Sequence, residues 1–199
     1  MQNTKKSIFD NLPENLDDRT KLFLESVIYI SNTIEFAYEN LKKLIENNEL
    51  SKNELVMLYI WSLIDNFYRM YKIVNKMPGL KKKEIWFQQY TRECAKVEDI
   101  RHFHQHFDND LESLLINNKP LLGHISWIKV IDEKKLIIMT FIPGNVKKTS
   151  LFVVNPLGKN IKDRIDLITY YIGDEEINIS NLYYSTRDFM KYIDKTFSN

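Results

Sequence analysis

Three of the four histidines in this 199-residue chain fall within five positions, directly after an arginine. The stretch reads RHFHQHFDND and runs from Arg101 to Asp110. An imidazole can exchange a proton near neutral pH, bind a metal ion, or satisfy a buried hydrogen-bonding group. The stretch is therefore a metal site, an acid–base site or a structural helix that is rich in histidine.

The apolar residues around these histidines recur at helical spacing. They are Val97, Ile100, Phe103, Phe107, Leu111 and Leu114. On a strand, His102, His104 and His106 would share one face and form a three-histidine metal site. On a helix, only His102 and His106 share a side, and zinc would need further ligands from elsewhere. Because the glutamate of an HExxH pattern is also absent, we predict no metal ion and no cofactor.

Several polar residues are predicted to serve structure. His104 falls beside the apolar stripe, so we expect a buried histidine that is hydrogen-bonded by Asp108, four residues later. Asp65 and Arg69 stand four apart in an apolar segment and are expected to pair along a helix. Cys94 is expected to be a small buried residue rather than a nucleophile.

Arg101 and His106 remain as candidates for catalysis. An imidazole can give or take a proton, and a guanidinium can stabilise charge on phosphoryl oxygens. Together they suit phosphodiester cleavage without a metal ion. Five residues of helix separate the two side chains by about 140°, so one helix cannot aim both at one phosphate. A dimer that brings two such helices together can do so.

The pattern of an arginine, a polar residue, three further residues and a histidine on the third predicted helix resembles the R-x4-6-H motif of HEPN domains. The resemblance covers roughly residues 15 to 117. It implies metal-independent RNA cleavage across a homodimer interface, with Arg101 on the phosphate and His106 in proton transfer. His102 takes the polar position that often holds Asn, Asp or His. RNA and an inhibitory protein are the partners that this resemblance suggests.

A basic stretch, residues 69–83, supports RNA binding. It contains six basic side chains and no acidic one. The six are Arg69, Lys72, Lys76, Lys81, Lys82 and Lys83. A patch of this size can bind a phosphate backbone with salt-sensitive affinity. The alternative is that the lysines near its end only keep a loop solvated.

Composition excludes several classes of protein. The chain has 28 basic and 27 acidic residues, so any anionic partner must be met by a local patch. We see no signal-peptide core and no apolar stretch of membrane-spanning length, and therefore expect a cytoplasmic protein with no membrane partner. A single cysteine excludes an intrachain disulfide and a thiolate zinc cluster.

The apolar pattern changes near Pro120 from helical spacing to short β-branched and aromatic runs. We predict one α+β unit over residues 1–199, with a helical half at 1–119 and a β-rich half with a closing helix at 120–199. Three long helices are expected in the first half, the second of them central because it is apolar almost all round. They run from Asp17 or Asp18 to Asn47 and Asn48, from a capping box at Ser51 and Glu54 to about Asn75, and from about Lys83 to Ile116.

Five apolar runs after Gly123 predict strands. The runs are HISWIKVI, KLIIMTFI, SLFVVN, DRIDLITYYI and EINISNLYY. Because the turns between them are short, we expect an antiparallel meander. The closing helix is predicted to begin at Ser185, with Asp188 completing a variant of the capping box.

Two functions fit these observations. The first is a HEPN-like RNA-binding protein or metal-independent endoribonuclease. The alternative is a non-catalytic interaction or scaffold protein, in which Arg101 bonds an acidic neighbour and the histidines satisfy buried polar groups. The exposure of Arg101 and His106 distinguishes the two functions. If these side chains lie in a polar cleft near the basic stretch, RNA cleavage is favoured. If they are buried against the sheet, a scaffold is favoured.

Overall fold

A helical first half and a four-stranded antiparallel sheet make up the α+β fold, and a C-terminal helix follows the sheet. The computed structural model describes residues 7–9, 11–117, 119–132, 135–144 and 167–198. Within these ranges the helices are α1 Asp18–Glu46, α2 Asn53–Lys76, α3 Ile85–Ala95, α4 Val97–Gln105, α5 Phe107–Ile116 and α6 Ile179–Phe197. The strands are β1 His124–Asp132, β2 Lys135–Phe141, β3 Thr169–Ile172 and β4 Glu175–Asn178.

The predicted bounds of α1 are confirmed. The Asp17 carboxylate accepts hydrogen bonds from the Thr20 backbone N–H at 3.0 Å and the Thr20 hydroxyl at 2.7 Å. These bonds satisfy free N–H groups of the first turn and lower the pKa of Asp17. At the other end, Asn47 caps the helix and Asn48 takes a left-handed conformation with φ of 57°. Local side-chain chemistry therefore sets both ends of α1.

The second helix is central to the bundle, as predicted, because α2 packs against α1, α3 and α4. Its predicted capping box is wrong. The N-cap residue is Lys52, which makes no side-chain capping bond, and the helix begins at Asn53. Glu54 is then only the second helical residue, one position short of the box geometry with its N-cap.

The predicted third helix is three helices, α3, α4 and α5. The breaks fall at Lys96 and at His106, where φ is −117° and ψ is 27°. Apolar spacing could not reveal these breaks, because Val97 and Ile100 continue the buried stripe of α3 into α4. The backbone of Lys96 stays close to helical, with φ of −59° and ψ of −20°, whereas that of His106 does not.

The sheet order is β2-β1-β3-β4 with every pair antiparallel. The antiparallel prediction is confirmed, but the meander is wrong among the described strands because β3 pairs with β1 rather than with β2. The predicted strand SLFVVN lies outside the described residues.

The closing helix begins at Ile179, six residues earlier than predicted, so the strand reading of ISNLYY is wrong. The Asn178 side chain accepts from the Asn181 backbone N–H at 2.8 Å and caps α6. Ile179, Leu182 and Tyr183 are buried at a helical spacing that a short apolar run does not distinguish from a strand.

Helix α6 joins α1 to the sheet through a buried polar contact. The Ser180 Oγ accepts from the Ile168 backbone N–H at 2.7 Å and lies 2.9 Å from the Tyr38 hydroxyl of α1. The Tyr38 ring stacks on Tyr183 with 3.9 Å between ring centres. Residues of both halves therefore contribute to one hydrophobic cluster.

Gly123, directly before β1, permits a close approach to β3. Its φ is +69°, and a Cβ there would lie 2.2 Å from the Tyr171 carbonyl oxygen and 2.8 Å from the Tyr170 hydroxyl. Gly144 offers a matched control because its φ is +91° and a Cβ would meet nothing within 4 Å.

We expect Gly123→Ala to lower the free energy of unfolding by about 2 kcal/mol more than Gly144→Ala does, because the two changes share the backbone strain and only the first adds a steric clash. Urea unfolding of both variants measures the difference. Equal losses would show that the close approach at Gly123 is unimportant.

Candidate functional site

Helix α4 positions the Arg/His stretch and contacts α2 on one side and β4 on another. Val97 and Ile100 form its buried face. Arg101 is directed at α2, whereas His102 and His106 are exposed. The polar residues of α4 are therefore divided between a contact with α2 and an exposed side.

The Arg101 guanidinium is held by three neighbours. Its Nε donates to Asp65 Oδ1 at 3.0 Å, and its Nη1 donates to Gln105 Oε1 at 2.9 Å. Its central carbon lies 4.5 Å from the centre of the Tyr68 ring. The side chain is 27% exposed. Arg101 thus bonds an acidic neighbour, as the interaction-protein alternative predicts, but keeps access to solvent.

Asp65 is shared by two arginines. The predicted pair with Arg69 is confirmed, since Arg69 Nε lies 2.7 Å from Asp65 Oδ2. The bond from Arg101 to the other carboxylate oxygen is an addition that the sequence did not suggest, because the two residues stand 36 positions apart. One carboxylate therefore faces two guanidinium groups, while Glu25 lines the same groove and Glu98 also interacts with Arg101.

Lys72 and Glu98 form a second ion pair beside this cluster. The Lys72 Nζ donates to Glu98 Oε1 at 3.0 Å, and the Tyr68 hydroxyl lies 3.2 Å from the same oxygen. The hydrogen bond from Lys72 lowers the pKa of Glu98, and the same bond raises the pKa of Lys72. Within one chain, the positive charge of Lys72 is therefore paired with the carboxylate of Glu98.

The basic stretch 69–83 is only partly available as a cationic patch. Lys81 lies 3.7 Å from Glu84, and Lys82 donates to the Asn75 carbonyl at 2.6 Å. Among the described residues, Lys76 and Lys83 have no ion-pair partner. The sequence showed no acid within the stretch, but the fold brings in acids from neighbouring segments.

A groove of about 560 Å³ lies between α1, α2 and α4. Its lining includes Arg69, Lys72 and Arg101, together with the aromatic rings of Tyr29 and Tyr68. Cations beside exposed aromatic faces can bind phosphate and stack on a base. The structure therefore brings Arg101 together with two residues of the predicted RNA-binding stretch.

His102 and His106 lie outside this groove. Their rings are in contact, with 4.4 Å between centres, and both side chains are exposed. His106 stands at the junction of α4 and α5, where the backbone leaves the helical conformation. Within one chain, the groove that Arg101 lines does not include His106, in keeping with the angle expected from the helical period.

His104 is held by the sheet. Its Nε2 lies 3.0 Å from the Tyr170 hydroxyl, which donates its own hydrogen to the Leu122 carbonyl at 3.1 Å. The imidazole must therefore donate through Nε2, and this fixes its neutral tautomer. Burial lowers the pKa of His104 to about 4. The predicted partner Asp108 lies outside the described side chains.

The fourth histidine, His124, was not singled out by the sequence. It is 7% exposed and stacks on Tyr171 with 4.6 Å between ring centres. Its Nε2 has no hydrogen-bond partner among the described residues, and burial lowers its pKa. A histidine at the start of a strand gives no sequence signal that separates a packing role from a chemical one.

Cys94 is buried, as predicted, and burial raises the pKa of its thiol to about 12. The thiolate that a nucleophile requires is therefore disfavoured. In the part of the chain that the structure describes, no group of three or more His, Cys, Asp or Glu is placed to hold a metal ion. No helix there has the length and apolar character needed to cross a bilayer.

We expect His104 to make stability pH-dependent. Its pKa is about 4 in the folded chain and near 6.5 when unfolded, so the unfolded chain binds more protons between these values. Its stabilising contribution is fully present above pH 6.5 and is lost as the pH falls toward 4. The loss is on the order of 3 kcal/mol at most.

The test compares urea unfolding of wild type and His104→Gln from pH 7.5 to pH 4. Glutamine can still donate to the Tyr170 hydroxyl but does not titrate, so the variant should lose much less stability on acidification. Parallel pH profiles for the two proteins would contradict the assignment.

The chain has no counterpart among known proteins in the three comparisons made. No family model matches it, no curated protein matches it, and no solved structure matches it. The resemblance to HEPN domains is carried by the stretch from Arg101 to His106 in its helical setting. Function is therefore inferred from the geometry of these side chains.

Proposed function

We propose that the protein is a cytoplasmic, homodimeric, HEPN-like RNA-binding protein that cleaves RNA without a metal ion. The observation that carries the proposal is the position of Arg101 in a solvent-accessible groove with Arg69 and Lys72. Arg101 stabilises the phosphate, and His106 transfers the proton. His102 keeps the polar position of the motif and contacts the His106 ring.

Arg101 is suited to its role because its orientation is fixed while donors remain free. The bonds to Asp65 and Gln105 use two of the five N–H groups of a guanidinium. The remaining three have no partner among the described residues and can point at phosphoryl oxygens. A preoriented cation stabilises developing charge without a cost of reorganisation at the moment of reaction.

His106 is suited to proton transfer because it is exposed at the end of a helix, where an RNA strand can reach it. A neutral imidazole accepts the proton of a ribose 2′-hydroxyl, and the resulting oxygen attacks the adjacent phosphorus. The P–O5′ bond breaks as the departing O5′ takes a proton from the imidazolium formed in the first step, and the products carry a 2′,3′-cyclic phosphate and a 5′-hydroxyl. Two copies are required, since Arg101 and His106 of one chain point to different surfaces.

A second candidate is a non-catalytic interaction protein. The observation that favours it is the engagement of Arg101 by Asp65, Gln105 and Tyr68, which accounts for the arginine without any ligand. The hydrogen bond of His104 with Tyr170 likewise accounts for that histidine without any ligand. In this alternative the helical half binds a protein partner, and the Arg/His stretch orients α4.

The test is RNA cleavage in excess chelator on a mixed pool of structured RNAs, with product ends examined for a 2′,3′-cyclic phosphate. Arg101→Ala and His106→Ala should each reduce the cleavage rate by about a hundred-fold or more, since each removes one catalytic group. Arg92→Ala changes an exposed arginine of α3 and is the matched control, which should leave the rate unchanged. Folding of every variant is checked by thermal unfolding.

Mixing the two inactive variants tests the division of roles between copies. A mixed dimer of Arg101→Ala and His106→Ala retains one intact site, so an equimolar mixture should recover about a quarter of wild-type activity. No cleavage and no salt-sensitive RNA binding by folded wild type would favour the interaction protein. Cleavage without recovery in the mixture would place both groups in one copy.

A further inference from the structure

Helix α1 exposes a large apolar side chain at every seventh residue. Leu22, Tyr29 and Phe36 are 63%, 71% and 63% exposed, although the core-facing side of the same helix is fully occupied. Residues seven apart fall on nearly the same side of a helix, so these three side chains form one line along α1. We call the line formed by these residues and their polar neighbours Ser26, Thr33 and Asn40 the α1 seam.

The polar members of the α1 seam are already hydrogen-bonded within the helix. Ser26, Thr33 and Asn40 each donate to the backbone carbonyl four residues earlier, at 2.8, 2.9 and 2.7 Å. These carbonyls belong to the three exposed apolar residues. Because these bonds form within the helix, covering the α1 seam leaves only the Tyr29 hydroxyl and the second N–H of the Asn40 amide to be hydrogen-bonded by solvent or by the second copy.

We infer that the α1 seam binds the α1 seam of a second copy in antiparallel orientation, about a two-fold axis near residue 31. In this register Tyr29 faces Thr33 of the second copy, Phe36 faces Ser26, and Leu22 faces Asn40. Each large side chain then meets a small polar one, so the two seams interdigitate. All six positions of the α1 seam are used, and the surface is self-complementary.

Charge selects the antiparallel orientation. Asp18 and Lys43 are both exposed, lie on the same side of the α1 seam by the helical period, and stand about equally far from its centre. Antiparallel pairing places Asp18 of one copy beside Lys43 of the other at both ends of the contact. Parallel pairing would instead leave Asp18 and Lys43 of different copies at opposite ends of the contact, where they form no such pairs.

The exposed apolar area suits a concentration-dependent dimer. Three side chains about two-thirds exposed contribute on the order of 400 Å² per copy, since a large aromatic offers roughly 150–250 Å². Leu55 and Leu58 are also exposed on α2, the helix that carries Tyr59, whose ring contacts Phe36. The area of the α1 seam alone is about half of the roughly 800 Å² per partner of a standard interface.

The inference deepens the proposed function and rests on it for the role of the dimer. Leu22, Ser26 and Tyr29 of the α1 seam line the same groove as Arg101, so this pairing seats the second copy on the α1 wall of the groove. Arg69, Lys72 and Arg101 belong to the α2 and α4 walls. Association and cleavage are separate measurements. A dimer without cleavage would overturn only the enzyme proposal, and cleavage by a monomer would overturn the dimer.

Light scattering and sedimentation velocity over a range of concentrations give the molar mass in solution. Wild type should be a dimer, and Tyr29→Glu should raise the dissociation constant at least about a hundred-fold, because it buries a charge at the centre of the contact. Leu115→Glu is the matched control, since Leu115 is 67% exposed on α5 and should leave the dimer intact. A monomeric wild type would overturn the inference. So would a dimer whose dissociation constant is unchanged by Tyr29→Glu.

Charge exchange tests the orientation. Lys43→Asp should weaken association about ten-fold at low salt, and the double change Asp18→Lys with Lys43→Asp should restore it, because each cross-copy pair is again of opposite charge. A double variant that associates no more tightly than the single one would overturn the antiparallel register.

Crosslinking tests the register. Tyr29→Cys chains mixed with Thr33→Cys chains should react with a short bis-maleimide mainly as mixed pairs, because residue 29 of one copy faces residue 33 of the other. The native Cys94 is buried and should not react. A predominance of pairs between identical variants would contradict the proposed pairing.

Discussion

The Ser180 hydroxyl is the contact on which the arrangement of helices and sheet depends. It is fully buried, and it meets the Ile168 backbone N–H and the Tyr38 hydroxyl at the point where α6 begins. Each of these groups would be costly to leave buried without a partner. One side chain therefore fixes the first turn of α6 against α1 and against the segment that enters β3.

The same sheet then fixes α4, the short helix that carries the candidate site. Tyr170 of β3 binds His104, while Asp65 of α2 binds Arg101. Two bonds on different sides of a nine-residue helix determine its rotation about its own axis. The exposure of His106 follows from this rotation.

Some features set by neighbouring residues could be predicted from the sequence, although the starts of α2 and α6 could not, whereas features set by distant residues left no signal. The ends of α1 and the pair of Asp65 with Arg69 depend on residues within one turn. The partner of Arg101 stands 36 positions away, and that of His104 stands 66 positions away. Such contacts leave no periodic trace in the sequence, and neither do the helix breaks, through which the apolar stripe continues.

The pairing of α1 with α6 also bears on how the chain folds. Tyr38 and Ser180 are 142 residues apart, so their contact closes a long loop. The antiparallel pair of α1 and α2, by contrast, forms from adjacent segments and can assemble early. We therefore expect the part of α1 that packs on α6 to remain uncovered during synthesis until α6 has left the ribosome, so that this contact of the core forms late.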